Sequence, residues 1–286
     1  MTLEALRGRA VAPAVFAVTP GVVARFVAAT GDEATRWREF APPGLAAAAF
    51  FAAAPALLAL PEVAGPARSL LHTEQAFTWQ RALAVGEEVA VAGKVASVRS
   101  RGAMHLVTFE VAAAGAAGPW LQGAATFVLS AEAVAAAAEE VEPPPDARGI
   151  CDPASVLPLP GEGAALSPLR RSASRADLVR YAVAGGDANP IHQDHRAARA
   201  AGLPGVIVHG LLLAAWMFQA AARYRPGPHP LRDARVRFRR ALRPAVPAVV
   251  TGTVAARGEV GALLDLALEA ADGSGPVATA AIRVTP

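Results

Sequence analysis

The chain has 286 residues, 53% of them hydrophobic and 18% charged, with a formal net charge of +3; this is long for one small domain and natural for two, each able to bury its own core. A small positive excess permits an anionic ligand, but no stretch interleaves aromatic with basic side chains as single-strand binders do, so no nucleic-acid partner is expected. Cys151 is the only cysteine, which excludes an intramolecular disulfide, and Met1 to Pro13 carries Glu4, Arg7 and Arg9 with no apolar signal run, so a cytoplasmic location is expected.

In chain order, Val18 to Ala29 reads as a strand end followed by a helix, with Thr19 as N-cap, Pro20 at the first helical position and Val22, Val23, Phe26 and Val27 on one face. Thr30-Gly31-Asp32 stops it. Gly44 to Leu60 is uncharged and interrupted by Pro55; it falls short of the roughly 20 residues a membrane span needs and reads instead as a helix buried in a core. From Leu71 the pattern turns to strands: Phe77 and Trp79, a turn at Val85-Gly86, then Val89 to Val98, Met104 to Val111 and Ala124 to Leu129. Ala131 to Glu142 reads as a short helix ended by Pro143 to Pro145. The Pro- and Gly-rich stretch up to Pro168 reads as a surface linker carrying Cys151, which no basic group activates.

The order then repeats. Helices are predicted at Ser174 to Ala184, Asp194 to Ala201 and Gly210 to Tyr224, and strands at Ala234 to Leu242, Val246 to Ala256, Ala262 to Glu269 and Val277 to Val284. Helices first and strands afterwards is an α+β pattern, not βαβ alternation. Asp32 and Asp187 lie 155 positions apart, as do Arg25-Phe26 and Arg180-Tyr181; Arg81-Ala82-Leu83 and Gly93 fall on Arg240-Ala241-Leu242 and Gly252 at an offset of 159. A duplication with altered loop lengths explains both offsets.

Between the first two helices of the second copy runs Gly185-Gly186-Asp187-Ala188-Asn189-Pro190-Ile191-His192. The glycines end one helix and Pro190 keeps Asn189 out of the helical region, so a carboxylate and an imidazole share a short, stiff turn from which both can reach one spot, as acid–base chemistry requires. Farther on, Val208-His209-Gly210-Leu211 opens an apolar helix. The unpaired N–H groups at a helix start carry partial positive charge, and a glycine there lets an oxygen approach. His192 and His195, with Asp194 between, lack the further well-spaced ligand of a zinc site, so no metal is expected. Nothing in the chain matches a nucleophile elbow, a dinucleotide fingerprint or a phosphate loop, and no cofactor is expected.

Gly186-Asp187-x-Asn189-Pro190-x-His192 followed by Val208-His209-Gly210-Leu211 resembles the MaoC-like, (R)-specific enoyl-CoA hydratase group of hot-dog proteins, from about Leu166 onward. Gly185 departs from the serine that this group often carries. The resemblance implies two tandem hot-dog domains, each a buried helix wrapped by an antiparallel sheet, in a pseudo-dimeric double hot dog. Residues 1–130 would form a noncatalytic domain, 131–165 a linker and 166–286 the catalytic domain. It implies Asp187 and His192 as the catalytic pair, the Gly210 amide as the group polarising a thioester carbonyl, and Asn189, Pro190, His209 and Leu211 as substrate-binding residues. The substrate would be an acyl-CoA or acyl carrier protein thioester, hydrated or dehydrated reversibly without a cofactor, and such units can pair again as homodimers.

In the first copy, Trp37 stands opposite His192, Ala34-Thr35 opposite Asn189-Pro190, and Pro43 opposite His209, so only Asp32 survives of the pair. That copy is expected to be silent and to contribute part of the acyl channel; His72-Thr73-Glu74-Gln75 and Trp79-Gln80-Arg81 resemble noncatalytic domains of the group. Arg235, Arg237 and Arg239 share one strand face, either solvated or drawing the phosphates of a carrier, as do Arg170-Arg171. Two other functions fit the same residues: hydration of a branched dicarboxylic enoyl-CoA such as mesaconyl-CoA, which needs an arginine in the pocket, and a noncatalytic thioester-binding subunit, which has no use for an intact pair.

Overall fold

The computed structural model describes residues 3–64, 69–102, 104–130, 149–273 and 275–286. The helix read at Ala131 to Glu142 and its proline stop lie outside them. The first half contains β1 (Ala10–Ala17), α1 (Pro20–Thr30), α2 (Ala46–Leu58), the single turn α3 (Pro61–Ala64), β2 (Ser69–Trp79), β3 (Glu88–Arg101), β4 (Met104–Gly115) and β5 (Gly118–Ser130). The second half repeats the series as β6 (Leu169–Arg171), α4 (Arg175–Gly185), α5 (His195–Ala200), α6 (Gly210–Ala222), β7 (Leu231–Phe238), β8 (Ala248–Gly258), β9 (Gly261–Ala270) and β10 (Gly275–Val284).

All ten strands form one sheet in the order β1-β3-β4-β5-β2-β7-β10-β9-β8-β6. Read outward from the middle, the two halves have the same order, so the duplication has placed two equivalent sheets edge to edge. The seam is the antiparallel pair β2–β7, in register from Glu74 opposite Arg237 to Thr78 opposite Asp233. Glu74 also ties the seam through its carboxylate, 3.0 Å from Arg237 Nε and 3.6 Å from Arg235 Nε. Two of the three arginines read as one strand face are therefore paired to the other half.

Both outermost strands escaped the sequence pattern. β1 carries Pro13, and its register with β3 shifts between Val11 and Ala14; an edge strand tolerates a proline at such an irregularity, whereas a central strand does not. Its counterpart β6 has only three residues. The strand read as far as Leu242 stops at Phe238, and this shortening leaves Arg239 and Arg240 exposed beyond the sheet.

The helices lie on one side of the sheet. Thr19 caps α1 through Val22 N at 3.2 Å, and Ser174 caps α4 in a reciprocal box with Asp177. Each ends on a left-handed glycine, Gly31 with φ 65° and Gly186 with φ 77°, and each glycine hands the chain to an aspartate, Asp32 or Asp187. α6 is buried along its length from Leu211 to Ala222. The all-apolar α2, expected to be equally enclosed, differs: Phe51, Pro55 and Leu58, spaced along one helical face, line a cavity. Among the described residues no helix is long and apolar enough to cross a membrane.

The repeated strand glycines have a steric reason. A Cβ on Gly93 would sit 2.4 Å from Phe109 Cζ, and one on Gly252 would sit 2.3 Å from the Asp265 carbonyl oxygen and 2.6 Å from Leu266 Cδ2. Backbone cannot yield cheaply, so Gly252→Ala is expected to destabilise the fold by about 1–3 kcal/mol, read as a lower urea midpoint. A midpoint at or above that of the parent would contradict this account.

Candidate active site

A cavity of about 610 Å³ opens between the halves. The second half supplies the turn from Gly186 to His192, together with Ile207, Val208, Gly210 and Phe238; the first supplies the α2 face, Leu70 to Thr73 of β2, and Phe127. Opposite β5, the register of β2 shifts between His72 and Glu74, leaving Thr73 as an extra residue, and bulges of this kind re-aim side chains beside functional sites.

Pro190 to His192 is one turn of tight helix, started by the Asn189 side chain accepting from Ile191 N at 3.3 Å. Asn189 N in turn donates to Asp187 Oδ1 at 3.3 Å. The turn therefore holds its own carboxylate, and Asp187 Oδ2 lies 3.8 Å from His192 Nε2. That separation is too long for a direct hydrogen bond and leaves both atoms available to a third group. His192 Nδ1 donates to the Ile207 carbonyl at 2.8 Å; the proton is thereby fixed on Nδ1 of the neutral ring, and Nε2 keeps its lone pair toward Asp187. Burial raises the Asp187 carboxyl above the usual range, against the pull of His192, and burial likewise lowers the His192 imidazole, against the pull of Asp187.

Gly210 is the first residue of α6, so its N–H has no acceptor within the helix. A Cβ built on it would lie 3.4 Å from three atoms of the Phe238 ring. The helix start thus faces an aromatic plate across a gap that only a side-chain-free residue keeps open. Phe238 stands edge-on to His72, with ring centroids 5.0 Å apart, and His72 stacks on Phe127 at 4.7 Å. Burial holds the His72 imidazole down at about 4, so at neutral pH this wall carries no charge.

Of the residues read from the sequence, Asp187, Asn189, Pro190, His192 and Gly210 all line the cavity. His209 and Leu211 do not: they are 0% and 2% exposed, because the cap and first turn of α6 point them into the core. The substrate contacts expected of these two are therefore corrected. His209 instead supports the site from behind, its ring stacked on His192 with centroids 3.9 Å apart and its Nε2 donating to the Asp187 carbonyl at 3.2 Å. A carboxylate oxygen of Asp187 and one ring nitrogen from each of these histidines lie within 4.8 Å of one another. However, the imidazole planes are only 25° apart, so their in-plane lone pairs run alongside each other and do not converge on one ion. The arrangement suits proton transfer better than coordination. Asp194 of the other metal pattern is occupied as the cap of α5, accepting from Ala197 N at 3.0 Å.

The equivalent place in the first half is closed. Asp32 is half-buried, its carboxyl is raised by desolvation, and it accepts from Glu33 N at 2.8 Å. Trp37 is 3% exposed, and Arg36 reaches the carbonyls of Ala222 and Arg225 at the end of α6. The motif did not reveal Phe238, whose position depends on where β7 stops.

Residues 160–255 match the profile of the MaoC like domain, and residues 5–119 that of the FAS1-like, dehydratase domain region. The second half of the chain thus resembles MaoC-like domains, and the first half a dehydratase region. The chain is 31% identical over 151 residues to 3-hydroxyacyl-thioester dehydratase X of Mycobacterium tuberculosis, a match covering 52% of the chain and 48%, about half, of that enzyme's length. A crystal structure of HtdX from the same organism superposes with a TM-score of 0.65 at 26% identity, over 94% of this chain and 99% of that one. A solved MaoC-like dehydratase gives a TM-score of 0.81 over 99% of both chains at 21% identity, a likeness of fold. The α+β double hot dog expected from the sequence is thus the fold the chain adopts.

Proposed function

We propose that the protein is an (R)-specific 3-hydroxyacyl-thioester dehydratase and, in reverse, a trans-2-enoyl-thioester hydratase. Residues 166–286 carry the chemistry and residues 1–130 wall the acyl channel. The observation that carries this reading is the 3.8 Å separation of Asp187 Oδ2 and His192 Nε2 on a cavity that also contains the Gly210 helix start. One water, or the β-hydroxyl of the substrate, fits between an oxygen and a nitrogen so placed.

In the dehydration direction one member of the pair removes the α-proton while the other protonates the departing β-hydroxyl, and the Gly210 N–H stabilises charge on the thioester oxygen. Hydration runs the same steps backwards. In either direction one proton is held by the pair before and after turnover. The remaining cavity wall, from Phe51, Leu58, His72 and Phe127, is uncharged and suits an acyl chain. Arg239 and Arg240 lie on the exposed rim, where they suit carrier phosphates better than the buried second carboxylate of a dicarboxylic substrate.

The test follows the enoyl absorbance of crotonyl-CoA and longer enoyl-CoA thioesters with the purified chain. Loss of the band in the presence of the protein supports the reading, and no change with any chain length refutes it. The division of labour has its own check: Asp32→Ala is expected to leave turnover per folded molecule within about two-fold of the parent, because surface and core changes away from the reacting atoms act through stability. A loss as large as that of Asp187→Ala would overturn it.

A further inference from the structure

Behind the reacting pair, two buried polar atoms have no hydrogen-bond partner: Nδ1 of His209 and the hydroxyl of Tyr181. The residues are 0% and 1% exposed and their ring centroids lie 4.9 Å apart. They are chemically complementary. His209 spends its ring proton on the Asp187 carbonyl, which makes Nδ1 an acceptor lacking a donor, while Tyr181 carries a donor lacking an acceptor. Gly185 makes the tyrosine's seat: a Cβ there would lie 2.9 Å from Tyr181 Cζ and 3.3 Å from its hydroxyl oxygen. The departure from serine at this position therefore gives the tyrosyl ring the space beside the turn.

We propose that Tyr181 is a positioning residue of the site, its hydroxyl donating to His209 Nδ1 directly or through one buried water. This bond fixes the ring that holds the Asp187 carbonyl from one edge and supports His192 on its face. The large majority of buried donors and acceptors are paired in folded proteins, and no other group among the described residues serves either of these. The chain of contacts runs from Tyr181 through His209 to both members of the pair, and Tyr181 does not itself touch the cavity. The inference rests on the dehydratase reading for its kinetic consequence and on geometry alone for the hydrogen bond.

The test uses the full chain with isotope-labelled histidine, the His209 signals being identified by their loss in His209→Gln. In the parent, His209 is expected to carry its proton on Nε2, with Nδ1 in the hydrogen-bonded range. In Tyr181→Phe, which keeps the ring and removes only the hydroxyl, the Nδ1 signal is expected to move to the unbonded range. The same variant should lower kcat by about three- to ten-fold, the worth of one neutral hydrogen bond, with KM unchanged, and adding His209→Gln should cost no more than His209→Gln alone. An unmoved Nδ1 signal overturns the proposal, including the case where kcat falls because the hydroxyl serves the Asp187 carboxylate instead. A loss confined to KM overturns it as well. Should Tyr181→Phe fail to fold, Gly185→Ala displaces the ring and must move the same signal. If the parent hydrates no enoyl thioester, the reaction assignment fails while the nitrogen signals still decide this bond.

Discussion

Replacing His192 by alanine, or Asp187 by asparagine, is expected to lower kcat for hydration of the best enoyl thioester by about 10²–10⁴-fold, the usual worth of a positioned acid or base. KM should change little, because neither side chain contributes much to holding the acyl chain. Asn is the sharper substitution: it keeps the size of Asp187 and the acceptor for Asn189 N while removing the titrating oxygen. The pH dependence has a defined shape. The reaction needs one proton on the pair, and that state has no net charge whether the proton is on oxygen or nitrogen. Burial disfavours the state with no proton, which is an anion, and the state with two, which is a cation. Burial accordingly raises Asp187 and lowers His192. The profile of kcat/KM should therefore be a bell with a broad top, falling in acid as the pair gains a second proton and in alkali as it loses the last one. A variant with either substitution that retains parental turnover would remove the pair from the mechanism. A parent profile that rises monotonically with pH would do the same.

The second large effect is expected at Gly210. An added methyl would meet the Phe238 ring at 3.4 Å, an ordinary contact, so Gly210→Ala should fold and melt close to the parent. The same methyl fills the gap through which a thioester oxygen reaches the first N–H of α6. Turnover is then expected to fall by about 10²–10³-fold, as when one oxyanion donor is lost. Phe238→Ala, which reopens the gap from the other side, should recover part of that loss in the double variant. Undiminished kcat in Gly210→Ala at high substrate would show that the carbonyl sits elsewhere.

The geometry of the turn was readable because it is local: Gly186, Asp187, Asn189, Pro190 and His192 lie within seven positions, and stiff backbone residues bring the two titrating groups to 3.8 Å. The helix start at Gly210 was readable for the same reason. The roles of His209 and Leu211 were not, since periodicity does not say which way the first turn of a helix faces when every position is apolar. Phe238, His72 and Phe127 come from three strands, and they meet only because one sheet runs through both halves; no spacing in the chain encodes that meeting. The edge strands were missed for different reasons, β1 because it tolerates Pro13 and β6 because it is too short to show alternation. The duplication was legible from short matching runs such as Arg81-Ala82-Leu83 and Arg240-Ala241-Leu242, and from Gly93 and Gly252, positions that admit no Cβ.

The seam at β2–β7 has one further consequence. When two identical subunits meet along such a line, every residue appears on both sides of the axis, so a change that helps one centre is imposed on its twin. Here the two sides are encoded separately, and Arg36 and Trp37 could fill one centre without touching the other. On the proposed reading, one polypeptide offers a single reactive centre with a lopsided vestibule, and substitutions in the first half are expected to alter the shape of the molecules it admits while leaving every reacting atom where it is.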